Sequence, residues 1–211
     1  MTVGAAGRPP LPIQRLGTER LVLTPLDPAG DAPDLHLMLA DSEVHRYDVD
    51  ACASTSLDET EKRLGVQVMA NGGASWAVRL RCDGTAVGTI GLVGDTGTTV
   101  QGIGWSLASA YWGRHIMSEA AAVIVPWLLA QDGVDGLEAW VDVRNAASTG
   151  VARAAGMTER ERLPRVYADS VSQTVVLVRV AAPAGLEVPG DLPEGTAVQV
   201  SGSSSRPDLK A

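Results

Sequence analysis

The apolar period of this chain changes at Gly113, and that change constrains the fold more than any other feature of the sequence. Before it, three runs rich in strand formers cover residues 75–81, 86–93 and 100–107, separated by the turn signals Asp83-Gly84 and residues 94–97. The spacing predicts an antiparallel meander. After it, Met117, Ala120, Ala121, Ile124 and Leu128 share one helical face before Gly133, so a helix follows the third strand directly. Pro126 lies inside that helix and predicts a kink or local break, because it removes a donor and crowds the carbonyl of Ala122. Residues 137–143 then alternate as a strand, 146–155 read as a helix ending at Gly156, and 171–180 read as a last strand.

Upstream, residues 19–26 form a strand pattern that stops at Pro25 and Pro28. Leu35, Leu37, Met38 and Leu39 start a helical stretch after Pro33. A second helix opens at Ser56 or Asp58, with Leu64, Val68 and Met69 as its buried stripe. The whole is an α/β (α+β) chain with a mixed, mostly antiparallel sheet flanked by helices. Residues 1–15, with Pro9, Pro10 and Pro12, predict an irregular lead-in, and 16–182 one domain. Residues 183–211 hold Pro189, Pro193, Pro207 and several serines, which predicts a flexible extension unless Val198 and Val200 form a short strand.

Charge narrows the function. Seventeen Lys and Arg against twenty-five Asp and Glu give a net charge of −8 over 211 residues, a field that opposes binding to nucleic acid. No stretch approaches the ~18 uncharged apolar residues of a membrane span, and no signal-peptide core precedes the domain. Cys52 and Cys82 have neither the number for a disulfide framework nor the spacing of a metal or redox pair, so a cytoplasmic protein without a metal is expected. Lys62 and Lys210 are the only lysines, a bias toward Arg that fits a GC-rich bacterial genome. Trp76, Trp127 and Trp140 read as core.

The segment 101–157 carries the chemistry. It contains Ile103-Gly104-Trp105-Ser106-Leu107, then Tyr111-Trp112-Gly113-Arg114-His115-Ile116-Met117, then Asn145-Ala146-Ala147-Ser148, and Gly156-Met157. A strand running into a helix start presents free backbone N–H groups, a ready anion site, and Arg114 adds a positive charge. Asn145, between strand and helix, reads as an N-cap.

Together with Thr18-Glu19-Arg20-Leu21, these pieces resemble the GCN5-related N-acetyltransferase (GNAT) family, in the branch similar to ribosomal-protein alanine and serine N-terminal acetyltransferases. The resemblance spans about 160 residues. It implies acetyl-CoA as co-substrate, its pantetheine arm lying along the backbone of Trp105, Ser106 and Leu107 and its pyrophosphate in the turn Trp112, Gly113, Arg114, His115, Ile116 and Met117. It also implies that Asn145 contacts the arm and that Ser148 protonates the departing thiolate, since the position of the usual family tyrosine is Ala152. His115 and Met117 stand where the family has small residues, though this branch often carries Met at the second. The residues leave open whether His115 approaches a phosphate or obstructs it. The frequent family glutamate before the Ile-Gly-Trp run is replaced by Gln101 and Gly102. Glu43, His45 and Asp48 remain as candidates for the base, or as an acidic rim for a cationic amine.

The expected activity is direct acetyl transfer to a primary amine, of a protein N-terminus or a small molecule. A non-catalytic acyl-CoA-binding module and a relative using another acyl donor are the alternatives. The last strands of this fold often pair across homodimers.

Overall fold

A computed structural model describes residues 11, 13–48, 52–93, 98–166 and 171–180. Among them, eight strands form one sheet in the order β1-β2-β3-β4-β5-β6-β8-β7. These are β1 (Leu16–Gly17), β2 (Leu21–Pro25), β3 (Ser75–Leu80), β4 (Ala86–Leu92), β5 (Val100–Leu107), β6 (Gly136–Asp142), β7 (Thr158–Val166) and β8 (Val171–Val180). Neighbours are antiparallel except β5 and β6, which run parallel. The mixed, mostly antiparallel sheet predicted from the periods is therefore present.

The sheet carries helices on both faces, and the period of two decides which residues meet them. On β3, Trp76 and Val78 join a core shared with α3 (Ile116–Leu129) and α4 (Ala146–Ala154), whereas Ala77 between them joins the core of α1 (Pro28–Ala40) and α2 (Leu57–Ala70). Trp76 is fully buried and meets Trp127 edge to face, with ring centroids 5.3 Å apart.

Helix boundaries follow local chemistry. Ser56 caps α2, accepting from the N–H of Glu59, while the Glu59 carboxylate takes the N–H and hydroxyl of Thr55. At the end of α4, Gly156 has φ +77°, and the N–H of Met157 reaches back to the carbonyl of Ala152. This is the left-handed stop expected of a glycine there.

Several expectations need correction. α1 starts at Pro28 and runs through Pro33, because Pro28 occupies a first-turn position where its missing N–H costs nothing. α3 passes Pro126 without interruption. Met69 is 75% exposed, so the buried stripe of α2 is Leu64 with Val68 packed beside it. Trp140 is 52% exposed and is no core residue. Strand β7 is an addition. The described residues of 1–15 carry no helix or strand, while Leu11 is buried and the indole of Trp76 donates to the carbonyl of Gln14 at 2.9 Å. The 183–211 extension, with Val198 and Val200, and the turn at 94–97 lie outside the described residues.

Candidate active site

Strands β5 and β6 pair over only three positions, Val100 with Gly136, Gln101 with Leu137 and Gly102 with Glu138. β5 then continues to Leu107 paired with β4 alone. The N–H of Val93 bonds to Gly102 and the N–H of Ala108 to Val87, which fixes the phase of that ladder. By alternation, Gly104 and Ser106 turn their peptide groups to β4, while the N–H of Ile103 closes the last rung of the β5–β6 ladder and the Ile103 carbonyl and the peptide groups of Trp105 and Leu107 turn toward the gap. The gap is a cleft of ≈ 1280 Å³, walled by both strands, the starts of α3 and α4, and residues 43, 44 and 46–48 between α1 and α2. Such a strand edge has free donors and acceptors for an extended amide chain.

At one end of the cleft lies the turn into α3. Gly113 has φ +72° and His115 φ +58°, and no N–H from Gly113 to Ser118 finds a protein acceptor among the described residues. These six consecutive donors, the last three in the first turn of a 14-residue helix, offer a candidate anion cradle. Met117 does not crowd it, because its side chain is buried beneath β4, against Gly88. The indole of Trp112 donates to the carbonyl of Leu107 at 2.8 Å and fixes the lip. Arg114 stands outside the lining, with its guanidinium 5.4 Å over the Tyr111 ring.

His115 thus occupies a left-handed position that suits glycine, at a cost of about 1 to 2 kcal/mol for an L-residue. Its side chain is exposed and caps nothing. His115→Gly is expected to raise stability by ~1 kcal/mol and to leave acetyl-CoA affinity equal or higher. Thermal unfolding and a titration check this, and a marked loss of affinity would show that the imidazole itself is a ligand.

The cradle is tied to the sheet through Glu119, in the first turn of α3. Its carboxylate accepts from the Thr18 hydroxyl, from the Arg20 N–H at 3.1 Å and from Arg20 Nε at 2.6 Å. Another Arg20 nitrogen donates to the Arg114 carbonyl at 3.2 Å. The Thr18-Glu19-Arg20-Leu21 motif therefore holds the turn in place. Burial pushes the Glu119 carboxyl up, but the bonds from Thr18 and Arg20 outweigh it and hold the group below its ordinary value of 4.5. A lowered folded value means the linked stability is complete above 4.5 and is lost as pH falls through the folded value. Acid unfolding of Glu119→Gln is accordingly expected to lose part of the wild-type pH dependence in that window, as circular dichroism across about pH 2–6 would detect.

At the other side, Asn145 is the N-cap of α4, its Oδ1 accepting the N–H of Ser148 at 3.0 Å. That leaves the Asn145 amide nitrogen and the Ser148 hydroxyl without protein partners among the described residues, both on the cleft wall. Of the candidates between α1 and α2, Glu43 and Asp48 line the outer lip, Glu43 beside Arg46 at 3.4 Å. His45 is buried under that lip, with Nε2 at 3.0 Å from the Leu39 carbonyl and Nδ1 at 3.3 Å from Asp48. Neither ring nitrogen points into the cleft.

Sequence reasoning missed the far wall. Residues 138–142 of β6 line the cleft, with Glu138, Trp140 and Asp142 at alternate positions, and the guanidinium groups of Arg46 and Arg144 lie 5.8 Å and 5.7 Å from the centroid of the Tyr47 ring, which also lines it. Asp142 is buried and binds Arg144 through its N–H, its Nε at 2.9 Å and a terminal nitrogen. The alternation along β6 was a signal, but which face would be the wall depends on where β5 departs. Among the described residues no cluster of His, Cys, Asp and Glu is placed to hold a metal, and no helix is long and apolar enough to cross a membrane.

Comparison with known proteins decides the family. The model of the acetyltransferase (GNAT) domain matches residues 20–158, more than half of the chain. The chain belongs to the GNAT acetyltransferase family. Among solved structures, this GNAT acetyltransferase is similar to a GNAT acetyltransferase from Bacillus anthracis, at 18% identity and TM-score 0.70 over 80% of this chain and 99% of that one. It is similar to RimL, a ribosomal L7/L12 alpha-N-protein acetyltransferase in complex with coenzyme A, at 19% identity and TM-score 0.69 over 79% and 98% of the two chains. It also resembles the ribosomal-protein-S5-alanine acetyltransferase from Vibrio fischeri, at 17% identity and TM-score 0.66 over 81% and 98%. At these identities the three structures speak for the fold.

Proposed function

We propose that this enzyme moves the acetyl group of acetyl-CoA directly to a primary amine, of a peptide N-terminus or a small molecule, with no covalent enzyme intermediate. The observation that carries the reading is the parting of β5 from β6 beside a row of six unassigned N–H groups. The residues fit an acyl-CoA. The N–H groups from Gly113 to Ser118 would take its pyrophosphate, and the Ile103 carbonyl, the Trp105 peptide groups and the Leu107 N–H its amide arm. The Asn145 amide would hold the arm from the opposite wall. The thioester supplies an activated acyl carbon. The Trp105 N–H faces the gap and would stabilise the oxyanion, and the Ser148 hydroxyl would give its proton to the leaving sulfur. The amine enters from the side of Glu43, Tyr47 and Asp48. A cytoplasmic location fits two exposed, unpaired cysteines.

A titration with acetyl-CoA, followed by a search for acetylated product with alanine- and serine-initiated peptides, tests this reading. Failure to bind acetyl-CoA removes it. The non-catalytic alternative draws on one observation, that β5 brings no carboxylate to the cleft. Gln101 is buried with its amide on the Thr98 carbonyl, and Gly102 has no side chain. Binding without transfer would favour that alternative.

A further inference from the structure

Before an ammonium can attack a thioester it must lose a proton, so the reaction needs a base or a water held by one. β5 cannot supply a carboxylate at the point where the cleft opens. A Cβ on Gly102 would lie 2.9 Å from the Val93 carbonyl oxygen, a backbone atom with no freedom to yield. Among the described residues, the carboxylates lining the cleft are Glu43, Asp48, Glu138 and Asp142. The first two sit on the exposed outer lip. Asp142 is buried and filled by three bonds from Arg144 and one from the Ser172 hydroxyl.

Glu138 differs from the others. It is opposite Gly102 in the last paired position of β5 and β6, so it stands at the vertex of the cleft, next to the peptide groups that turn into the gap. Leu137 and Ala139 face the core with α3, which puts Glu138 on the opposite face, with Gly102 and Gly104. One carboxylate oxygen takes the Trp140 indole N–H at 2.9 Å and the other an Arg160 nitrogen at 3.3 Å. Two bonds orient the group and leave half of its lone-pair sites for a substrate or water. We propose that Glu138 is the catalytic base, accepting the amine's proton directly or through one water.

The proton balance closes with Ser148 as the acid. The ammonium gives one proton to Glu138, and its freed lone pair bonds to the thioester carbon. As the tetrahedral intermediate collapses the C–S bond breaks, the nitrogen loses its second proton to solvent, and the sulfur takes the Ser148 proton. Ser148 recovers a proton from water and Glu138 releases its own, so acetyl-CoA and an ammonium yield amide, thiol and one net proton.

This assignment rests on the proposed function, and the test separates the two. Kinetics are measured for wild type, Glu138→Gln and Glu138→Asp with acetyl-CoA and an alanine-initiated peptide, a serine-initiated peptide or benzylamine, across about pH 6–9.5, with thermal unfolding as a check on folding. The expected result is a roughly 100-fold or greater loss of kcat in Glu138→Gln near neutral pH, with acetyl-CoA affinity unchanged. The loss should shrink toward alkaline pH, where the amine sheds its own proton, and Glu138→Asp should recover part of the rate. Wild-type kinetics in Glu138→Gln, a loss confined to the amine KM, or a loss equal at every pH would each overturn the assignment while leaving the acetyltransferase reading intact. A wild type that binds acetyl-CoA and acetylates none of the three amines overturns both.

Discussion

Ser148→Ala is expected to lower kcat by ~10²-fold near neutral pH while acetyl-CoA affinity stays within about twofold, the pattern of a lost general acid. The geometry behind this is local. Asn145 caps α4 by accepting the Ser148 N–H, which fixes the first turn of the helix, so the Ser148 side chain has a defined place on the cleft wall. Its hydroxyl has no protein acceptor among the described residues and is available to a sulfur. Because a thiol with an ordinary pKa near ~8.5 leaves with less help as pH rises, the defect should narrow in alkaline buffer. The discriminating measurement is the split between kcat and KM over pH. A loss appearing only in the KM for acetyl-CoA would make Ser148 a positioning residue, and unchanged rates would leave it as an ordinary first-turn serine. The alkaline recovery has a different cause from that of Glu138→Gln, where the amine rather than the thiol changes state. A thiol assay with a donor of lower leaving-group pKa separates them, since a better leaving group should relieve only the serine variant.

What the sequence disclosed was set by how local its causes are. The N-cap at Asn145 was legible because a cap is fixed by a single short run of chain. Strands β3 to β5 were legible because alternation and turn residues act within one hairpin. β7 was missed for an equally physical reason. Its charged run Thr158-Glu159-Arg160-Glu161-Arg162 and Pro164 belong to an edge of the sheet, where charge and proline are tolerated because one side lacks a partner strand. Trp140 reads as core from the sequence. It is exposed because its face of β6 looks into the gap β5 leaves, a consequence of register between strands separated by a whole helix. Glu138 went unnoticed on the same account. The left-handed backbone at His115 had no local signature either, since nothing in Trp112-Gly113-Arg114-His115 distinguishes which residues after the strand must turn left.

The largest loss of stability is expected from Arg79→Met, about 3 to 5 kcal/mol, the range for stranding one member of a buried ion pair. Arg79 on β3 is a polar link between the sheet and α1. Its guanidinium binds the Asp31 carboxylate, donates to the Thr24 hydroxyl and the Gly84 carbonyl at 3.1 Å each, and comes within 3.9 Å of Asp34. The Asp31 side chain has no exposure to solvent, and the other bond to its carboxylate is from the N–H of Asp27 at 2.9 Å. Without Arg79 the carboxylate stays buried beside apolar Ala32 and Leu35 and must either keep an unpaired charge or draw water into that core. At ~2 to 4 °C per kcal/mol for a domain of this size, the midpoint should fall by roughly 10 °C. A neutral double variant, Asp31→Asn with Arg79→Met, separates loss of the pair from the penalty of the stranded charge. The asparagine amide would keep an acceptor for the Asp27 N–H and bury no charge, so most of the stability should return. An additive double variant would instead assign the loss to the other contacts of Arg79. Because α1 carries the segment that forms the outer lip of the cleft, Arg79→Met should also loosen the amine side of the site before the acetyl-CoA side, where Glu119 and Arg20 hold α3 independently. The variant should therefore show a raised amine KM at temperatures where its affinity for acetyl-CoA is still that of the wild type.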